Sequence, residues 1–595
     1  MQTMQPTIEV LAKINQNSNK NKTEVFTRLY RYLLRPDIYY VAYKNLYANS
    51  GAATKGVNDD TADGFSESKV EKIIKSLADG SYNPKPSRRV YIQKANGKLR
   101  PLGIPTFTDK LIQEVLRMIL EAVYEPVFLK YSHGFRPNKS CHTALKDIKY
   151  GFPGARWFIE GDIKGCFDNI DHAVLIGIIN AKIKDAKFIQ LIWKFLKAGY
   201  LEDWKYNNTY SGTPQGGIVS PILANIYLHE LDKFVEKLMS DFDKPIPRSA
   251  YAPEYDALRK KRTAIYYHLK KGRTEFLPEY KKLRAEMLKL PAKSQTDKII
   301  KYVRYADDFI LGIRGSKADC EWIKAELKAF LHDVLKMELS EEKTLITHSA
   351  EYARFLGYDI KVRRNNSLRG CNGITKRTLN NSVELNIPLK DKIEKFLFGI
   401  KAVEVKNGAL FPIKRNGLVG LTDFEIVTTY NAELRGICNY YGIASNFGTL
   451  DYFAYLMEYS CLKTLAAKHK SSMRKVREKF NDRKGGWGIP YETKSGKKRM
   501  YFAKFRDCQA GLKMNDVKPT TATKYMRYSG NFEQRLKAKT CQLCGIENAE
   551  YYEIHHVNKV KDLKGKELWE RIMITQKRKT IVLCRDCHKK IHGAN

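Results

Sequence analysis

Tyr302-Val-Arg-Tyr-Ala-Asp-Asp-Phe-Ile-Leu-Gly-Ile313 is the stretch whose reading decides the fold. Two apolar, β-rich runs flank Asp307-Asp308, so it reads as a hairpin with two adjacent carboxylates at its tip. Such neighbours are costly in an apolar setting unless they are protonated or neutralised by a cation. A hard, oxygen-seeking ion such as Mg²⁺ supplies that neutralisation. The plainer reading is an exposed acidic turn, because Asp is a common turn residue.

A second strand-like run, upstream, ends the same way: Trp157-Phe-Ile-Glu-Gly-Asp162-Ile-Lys-Gly-Cys-Phe167-Asp-Asn-Ile-Asp171. Asp162 closes the strand and an aromatic residue follows five positions later. Three carboxylates from two strand ends suit a two-metal site that activates a hydroxyl nucleophile and stabilises a leaving pyrophosphate. Asp168 and Asp171 read instead as turn or helix-cap residues. Around these motifs, from Val90 to about Ile360, short β-rich runs alternate with helical ones, as in an α+β domain. Residues 230–300 read as a Lys/Arg/Glu-rich helical insertion with a solvated face and no chemistry. The N-terminal FTRLYRYLLRPDIYYVAYKNLY is helix-like. It is either a packing helix or one facing nucleic acid.

The chain has 595 residues, of which 105 are basic and 65 acidic, for a formal charge of +40. That length suggests several domains, and the apolar content is enough to bury their cores. The positive surplus is dispersed along the chain and favours a polyanionic partner, with nucleic acid ahead of a membrane surface. No apolar run approaches a bilayer span, and the N-terminus lacks a secretory pattern. The expectation is a cytoplasmic protein with no membrane partner. Eleven cysteines, an odd count, argue against a disulfide framework.

Four of those cysteines form two CxxC pairs, Cys541/Cys544 and Cys584/Cys587, suited to a tetrahedral Zn²⁺. Glu553-Ile-His555-His556 lies between the pairs. His588 and His592 follow, spaced to share one helix face. From Pro388 the pattern is helical, with Gly485-Gly486 and Gly488-Ile489-Pro490 marking its end. Residues 491–540 are basic and weakly periodic.

Tyr305-Ala306-Asp307-Asp308 resembles the YxDD box of reverse transcriptases. Asp162 with Phe167 is similar to their first palm motif, and Thr213-Pro-Gln-Gly-Gly-Ile-Val-Ser-Pro221 to their nucleotide-pocket motif. The order of these blocks, together with RPLGIPTFTDKLIQE, resembles group II intron-encoded reverse transcriptase/maturases over essentially the whole chain. The resemblance implies an α+β multidomain fold: a right-hand polymerase (fingers and palm, 1–387), an α-helical thumb or maturase domain (388–490), a small DNA-binding module (491–540) and a ββα-metal (HNH) zinc module (541–595).

It also implies roles. Asp162, Asp307 and Asp308 would be catalytic Mg²⁺ ligands. Lys94 and Arg100, flanking an Asn-Gly turn, would grip the triphosphate, while Lys98 solvates the turn. Phe167 would sit beneath the incoming sugar, and Gln215 and Gly216 against the nucleotide; Phe167 is otherwise a core aromatic and Gly216 a turn residue. Phe355-Leu-Gly-Tyr358 resembles the primer grip, or is a plain strand. Tyr430-Asn-Ala-Glu-Leu-Arg435 and Asn439-Tyr-Tyr441 resemble the maturase patch, whose aromatics either stack on RNA or form a core stripe.

In the C-terminal module, Cys541, Cys544, Cys584 and Cys587 would hold structural zinc. His555, His588 and His592 would hold a nuclease Mg²⁺ or Mn²⁺, with Glu553 orienting a histidine and His556 as general base. The central Asn usual in HNH motifs is missing; Lys579-Thr580 stand where it is expected, so either another group supplies its orienting hydrogen bond or cleavage is compromised. The implied partners are group II intron RNA, target DNA and dNTPs, with monomer and homodimer on the RNA both open. The implied function combines RNA-directed DNA polymerase, splicing maturase and DNA endonuclease. The alternative is a splicing-only maturase with an inactive polymerase or nuclease. The intron's identity, its DNA target, fidelity and processivity are not encoded in readable form.

Overall fold

The computed structural model describes residues 6–93, 97, 99–202, 205–207, 209, 211–213, 216–244, 251–290, 292, 297–365, 367–371, 374–377, 380–482, 486–493, 496–509, 531–547 and 549–593. The runs flanking Asp307 form antiparallel strands Ile299–Tyr305 and Asp308–Arg314, joined through Ala306-Asp307. The second strand pairs with Trp157–Gly161, and Leu345–His348 completes a four-stranded antiparallel sheet. The strands are apolar without alternation because the sheet is covered on both faces. Ile159, Leu311 and Ile313 enter one hydrophobic core, with Leu111 and Leu228. Phe158, Val303 and Ile310 enter another, with Tyr358 and Tyr430.

Helix Phe107–Tyr124 runs through the first core and is buried almost throughout, and three of its charges pair within the helix, Arg117 with Glu114 at 2.8 Å and with Glu121. Ser87–Gln93 and Leu99–Ile104 form a hairpin that Tyr200–Glu202 and Lys205–Asn207 extend to four strands. The stretch expected to be a solvated insertion divides in two. Helices Pro253–Lys270 and Leu277–Lys289 are largely exposed, but residues 230–242 belong to helix Ser220–Phe242, where Leu231, Asp232 and Val235 are fully buried. The N-terminal tyrosines likewise pack inward: in Pro36–Tyr47, residues 38–43 are all buried.

The helical region after residue 388 contains Asp423–Tyr440, Leu450–Lys468 and Met473–Phe480. Strand Gly486–Thr493 crosses the expected boundary at 490 and pairs with Gly496–Tyr501. Asn431 ties this sheet to the helices, donating to the Tyr501 carbonyl at 2.7 Å and accepting from the Ala503 amide at 2.8 Å. Phe502 and Ala503, beyond the expected boundary, share the core of the helices after residue 388.

At the C-terminus, strands Tyr552–His556 and Thr580–Cys584 lead into helix Arg585–Ile591, a ββα unit. Its sheet has a third strand, Phe65–Ser66, contributed by the N-terminal region. Phe65 is fully buried and stacks on Tyr43 at 4.2 Å. Ile554, Val582 and Leu583 join the same core as Phe65 and Leu111. Among the described residues no helix is long and apolar enough to cross a membrane.

Candidate active sites

The sheet register sets Gly161 opposite Phe309, so Asp162 and Asp308 leave adjacent strands at the same end, next to Asp307 in the turn. Ala306 has φ 57°, and Gly134 lies so close that a Cβ there would meet the Ala306 nitrogen at 2.3 Å. The turn is therefore pressed against residues 131–135, whose Ser132 bridges to Arg304. Arg304, the basic residue inside the quoted hairpin, is fully buried. It donates to both oxygens of Asp232 at 2.7 and 2.6 Å, to Ser132 Oγ at 2.9 Å and to the Ala306 carbonyl at 2.8 Å. Neither Arg304 nor Asp232 is given a role by the sequence reading, which takes Asp232 for a solvated charge.

Asp307 is raised above the usual carboxylate range, first by burial and then by the Asp162 charge; Arg100 and Lys343 oppose the shift. For Asp308, loss of water against the cleft wall and then the Asp307 and Asp162 carboxylates push the group up to about 7, although the residue keeps an exposed side. Mutually repelling carboxylates in one cleft are a fitting host for a divalent cation. Lys343 Nζ reaches Asp162 Oδ2 at 2.7 Å, a cationic neighbour that the motifs did not flag. The three carboxylates do not converge as tightly as the two C-terminal clusters, whose ligand atoms lie within 4.8 Å of one another.

Around this centre, Arg100 sits exposed on Leu99–Ile104, within electrostatic reach of Asp307. Phe167 is half-buried in the turn Cys166–Asp168, with Phe135 edge-on at 6.4 Å. Gly216 has φ 110° and lies where a Cβ would meet the Gly103 carbonyl at 2.6 Å, so only glycine lets this loop approach the hairpin. Asp171 caps helix His172–Lys182 by accepting from the Val174 amide at 2.8 Å, as its sequence context suggests. Lys94, Lys98 and Gln215 lie outside the described residues.

The C-terminal module holds two clusters. Cys541, Cys544, Cys584 and Cys587 bring their sulfurs together. Against burial, backbone amides of Cys544 and Cys584 pull the Cys541 thiol down to about 7, toward the thiolate a metal needs. The second cluster unites His555, His588 and His592 with a residue that the sequence reading missed, Asp63. His555 Nε2 is buried without a hydrogen-bond partner, while Nδ1 faces Asp63 Oδ1 at 3.1 Å, so the cluster gathers three imidazoles around one carboxylate, a donor set that fits a divalent cation. Glu553 Oε2 accepts from His588 Nδ1 at 2.5 Å and so turns Nε2 toward Asp63. Although burial works against it, Asp63 and Glu553 push His588 up to about 9.

His556 is not a member of that cluster. Its Nε2 lies 2.9 Å from the Tyr47 carbonyl, which can only accept, so the proton is on Nε2 and Nδ1 carries the lone pair. Nδ1 is buried and has no partner. Burial holds the imidazole below its ordinary value, and hence neutral. Thr580 stands opposite His556 in the strand register, where the expected Asn is absent. The orienting bond comes from Tyr47.

Three families match the sequence: reverse transcriptase (RNA-dependent DNA polymerase) over residues 92–252, type II intron maturase over 380–532, and the AI2M/AI1M-like HNH endonuclease over 541–588. The group II intron-encoded protein LtrA of Lactococcus lactis subsp. cremoris is 61% identical over 99% of this chain and 99% of its own. The chain belongs to the group II intron-encoded proteins. An uncharacterized 91 kDa protein in the cob intron of Schizosaccharomyces pombe is 37% identical over 98% of this chain and 72% of its own. A solved telomerase from Candida albicans overlaps 66% of this chain and 55% of its own with a TM-score of 0.35 and 13% identity.

As a group II intron-encoded protein, the chain combines reverse transcriptase, maturase and HNH endonuclease domains. In the maturase patch the buried aromatics take the core-stripe alternative. Tyr430 is fully buried, with its hydroxyl against Ser460 at 2.8 Å and Thr464 at 3.1 Å, and Asn431, Leu434 and Tyr441 are also buried. These residues form core and cannot stack on RNA bases from there. Phe355-Leu-Gly-Tyr358 is a hairpin rather than a plain strand, turning at Leu356 (φ 48°) and Gly357 (φ 72°). Tyr440 donates to the Leu356 carbonyl at 2.6 Å and Tyr358 to the Tyr440 carbonyl at 2.5 Å, so helix Asp423–Tyr440 grips this hairpin directly.

Proposed function

We propose that this group II intron-encoded protein binds its intron RNA, assists splicing, and copies the RNA into DNA from a primer that its own endonuclease cuts in the target. The observation that carries this reading is the meeting of Asp162, Asp307 and Asp308 at one sheet end, in a chain that also bears a ββα histidine cluster. When bound, divalent ions would supply charge neutralisation at both centres, and zinc among the four cysteines would supply rigidity.

In this reading Asp162, Asp307 and Asp308 hold the palm ions. Arg100, with Lys94, binds the triphosphate, because guanidinium and ammonium groups give phosphate oxygens charge-assisted bonds. Phe167, backed by Phe135, blocks a 2′-hydroxyl. Gly216 and Gln215 line the nucleotide. Arg304, tied to Asp232, fixes the hairpin that carries Asp307 and Asp308. At the second centre His556 takes a proton from water on Nδ1, while His555, His588 and His592 hold the ion and Glu553 orients His588. The positive surplus on the chain would bind both nucleic acids through their phosphates.

Primer extension on an RNA template with purified protein tests the polymerase. Asp307→Ala/Asp308→Ala should abolish Mg²⁺-dependent dNTP incorporation while leaving salt-sensitive RNA binding in place. Incorporation by the double variant at the parent rate would overturn the two-metal assignment.

A further inference from the structure

The C-terminal histidine cluster is completed from the other end of the chain. Asp63 precedes the strand Phe65–Ser66, which pairs with Tyr552–His556 through Phe65–Ile554 and Ser66–Glu553. The Gly64 amide donates to the Ile554 carbonyl at 3.0 Å. This pairing sets the Asp63 carboxylate among the histidines. Oδ1 lies 3.1 Å from His555 Nδ1 and 3.2 Å from His588 Nε2, and Oδ2 lies 2.7 Å from His592 Nε2. Oδ1 also accepts from the His556 backbone amide at 2.7 Å, which locks the carboxylate to the strand bearing both histidines.

We propose that Asp63 is the fourth protein ligand of the nuclease metal, so that the endonuclease centre is a composite of the N-terminal region and the C-terminal module. The inference rests on reading His555, His588 and His592 as metal ligands. Neighbouring ligand atoms bound at about 2.1 Å to one ion lie roughly 3 Å apart, which is the spacing between the Asp63 oxygens and the three imidazoles. His555 Nδ1 meets the Asp63 carboxylate, and its Nε2 is buried without a hydrogen-bond partner. An acidic oxygen added to three imidazoles also suits the hard cations on which phosphodiester hydrolysis relies.

The same stretch supplies the Tyr47 carbonyl that fixes His556, and Lys579 beside Thr580 reaches the Ala48 carbonyl at 3.4 Å. The ligand and the orienting group thus come from one docked segment. The ββα unit alone has neither. Cleavage competence is consequently tied to docking of the module on the N-terminal region.

The test is Mn²⁺ binding by calorimetry to full-length protein carrying Asp307→Ala/Asp308→Ala, which removes the palm contribution. Asp63→Asn should weaken the remaining Mn²⁺ site at least tenfold and slow nicking of a duplex. The metal content of the four-cysteine cluster, measured separately, reports whether the module is still folded; if Asp63→Asn loses it, Asp63→Glu, which keeps the charge, takes its place and should still bind Mn²⁺ more tightly than Asp63→Ala. His588→Ala separates the two levels of the reading. If His588→Ala leaves Mn²⁺ binding intact, the histidine centre itself is refuted. If His588→Ala abolishes binding but Asp63→Asn does not weaken it, the histidine centre stands and the Asp63 assignment falls. Tighter binding and faster nicking by Asp63→Asn would make Asp63 a plug over the site, and would also overturn the proposal.

Discussion

Arg304 and Asp232 form a bidentate ion pair, at 2.7 and 2.6 Å, with both side chains completely removed from solvent. A third guanidinium bond holds the Ala306 carbonyl, one residue before Asp307. The pair therefore couples helix Ser220–Phe242 to the turn that carries two of the three carboxylates. Tyr302 adds its hydroxyl to Asp232 at 2.9 Å, and Asn225, bound to Arg304, donates to the Gly134 carbonyl at 2.8 Å beneath the same turn.

Breaking this pair should unfold the palm before it changes the chemistry. Removing one partner strands a buried charge, a loss of about 3–5 kcal/mol. Arg304→Met or Asp232→Asn should thus lower the urea midpoint sharply and abolish cDNA synthesis. The double change Arg304→Met/Asp232→Leu strands no charge and should recover much of the stability. It should not recover synthesis, because the bond to Ala306 is still missing. Urea titration and primer extension on the same preparations separate the two effects. Full synthesis by the double variant would show that the turn needs no clamp.

Metal binding in the palm should compete with a proton. Asp308 is pushed up to about 7 in the folded protein, far above an unperturbed carboxyl near 3.9. A raised carboxyl favours the folded state fully below the unfolded pKa, and that contribution is lost as pH rises through the folded one. Between about pH 4 and 7 the metal-free protein should therefore lose stability at this site, and Mg²⁺ should restore it. The rise in melting temperature on adding Mg²⁺ should grow from pH 5.5 to 8, and Asp308→Asn should flatten that dependence. An equal Mg²⁺ effect at both pH values would remove Asp308 from the cation site.

How much of this was readable follows the distance over which each signal acts. The hairpin with Asp307 and Asp308, the Asp162 strand end and the two CxxC pairs are local patterns, and each folds as its own spacing implies. The Asp232–Arg304 pair spans 72 residues and begins in a charge-rich stretch, where one buried acid looks like its solvated neighbours. Asp63 lies 493 residues from His556, and no local pattern brings an N-terminal acid to a C-terminal histidine cluster. Tyr430 shows another limit. Aromatic residues at helical spacing look the same whether they face a core or RNA, and the packed helix Leu450–Lys468 decides for the core.

Phe167 should discriminate between sugars by steric contact. Its ring is only half-buried and is steadied edge-on by Phe135, itself an exposed aromatic held at φ 56°. Contacts of this kind are worth about 1–3 kcal/mol, so Phe167→Val should raise ribonucleotide incorporation relative to dNTPs by about 10–100-fold. Phe135→Ala should do the same more weakly by freeing the ring. Competition between the matched rNTP and dNTP on one template measures the ratio. An unchanged ratio in Phe167→Val would return Phe167 to a packing role.

Glu553 should act on the nuclease centre through His588 alone. Its carboxylate accepts from Nδ1 at 2.5 Å, which holds the ring with Nε2 toward Asp63 and the other histidines. Losing an outer partner of a histidine ligand typically costs about 10–100-fold in metal affinity. Glu553→Ala should therefore weaken Mn²⁺ binding by that factor. Glu553→Gln, whose amide oxygen still accepts from Nδ1, should lose much less. Nicking should follow metal affinity in both variants and recover at high Mn²⁺, because the carboxylate acts through His588 Nδ1. A nicking defect in Glu553→Gln that excess Mn²⁺ cannot repair would give Glu553 a direct part in the chemistry.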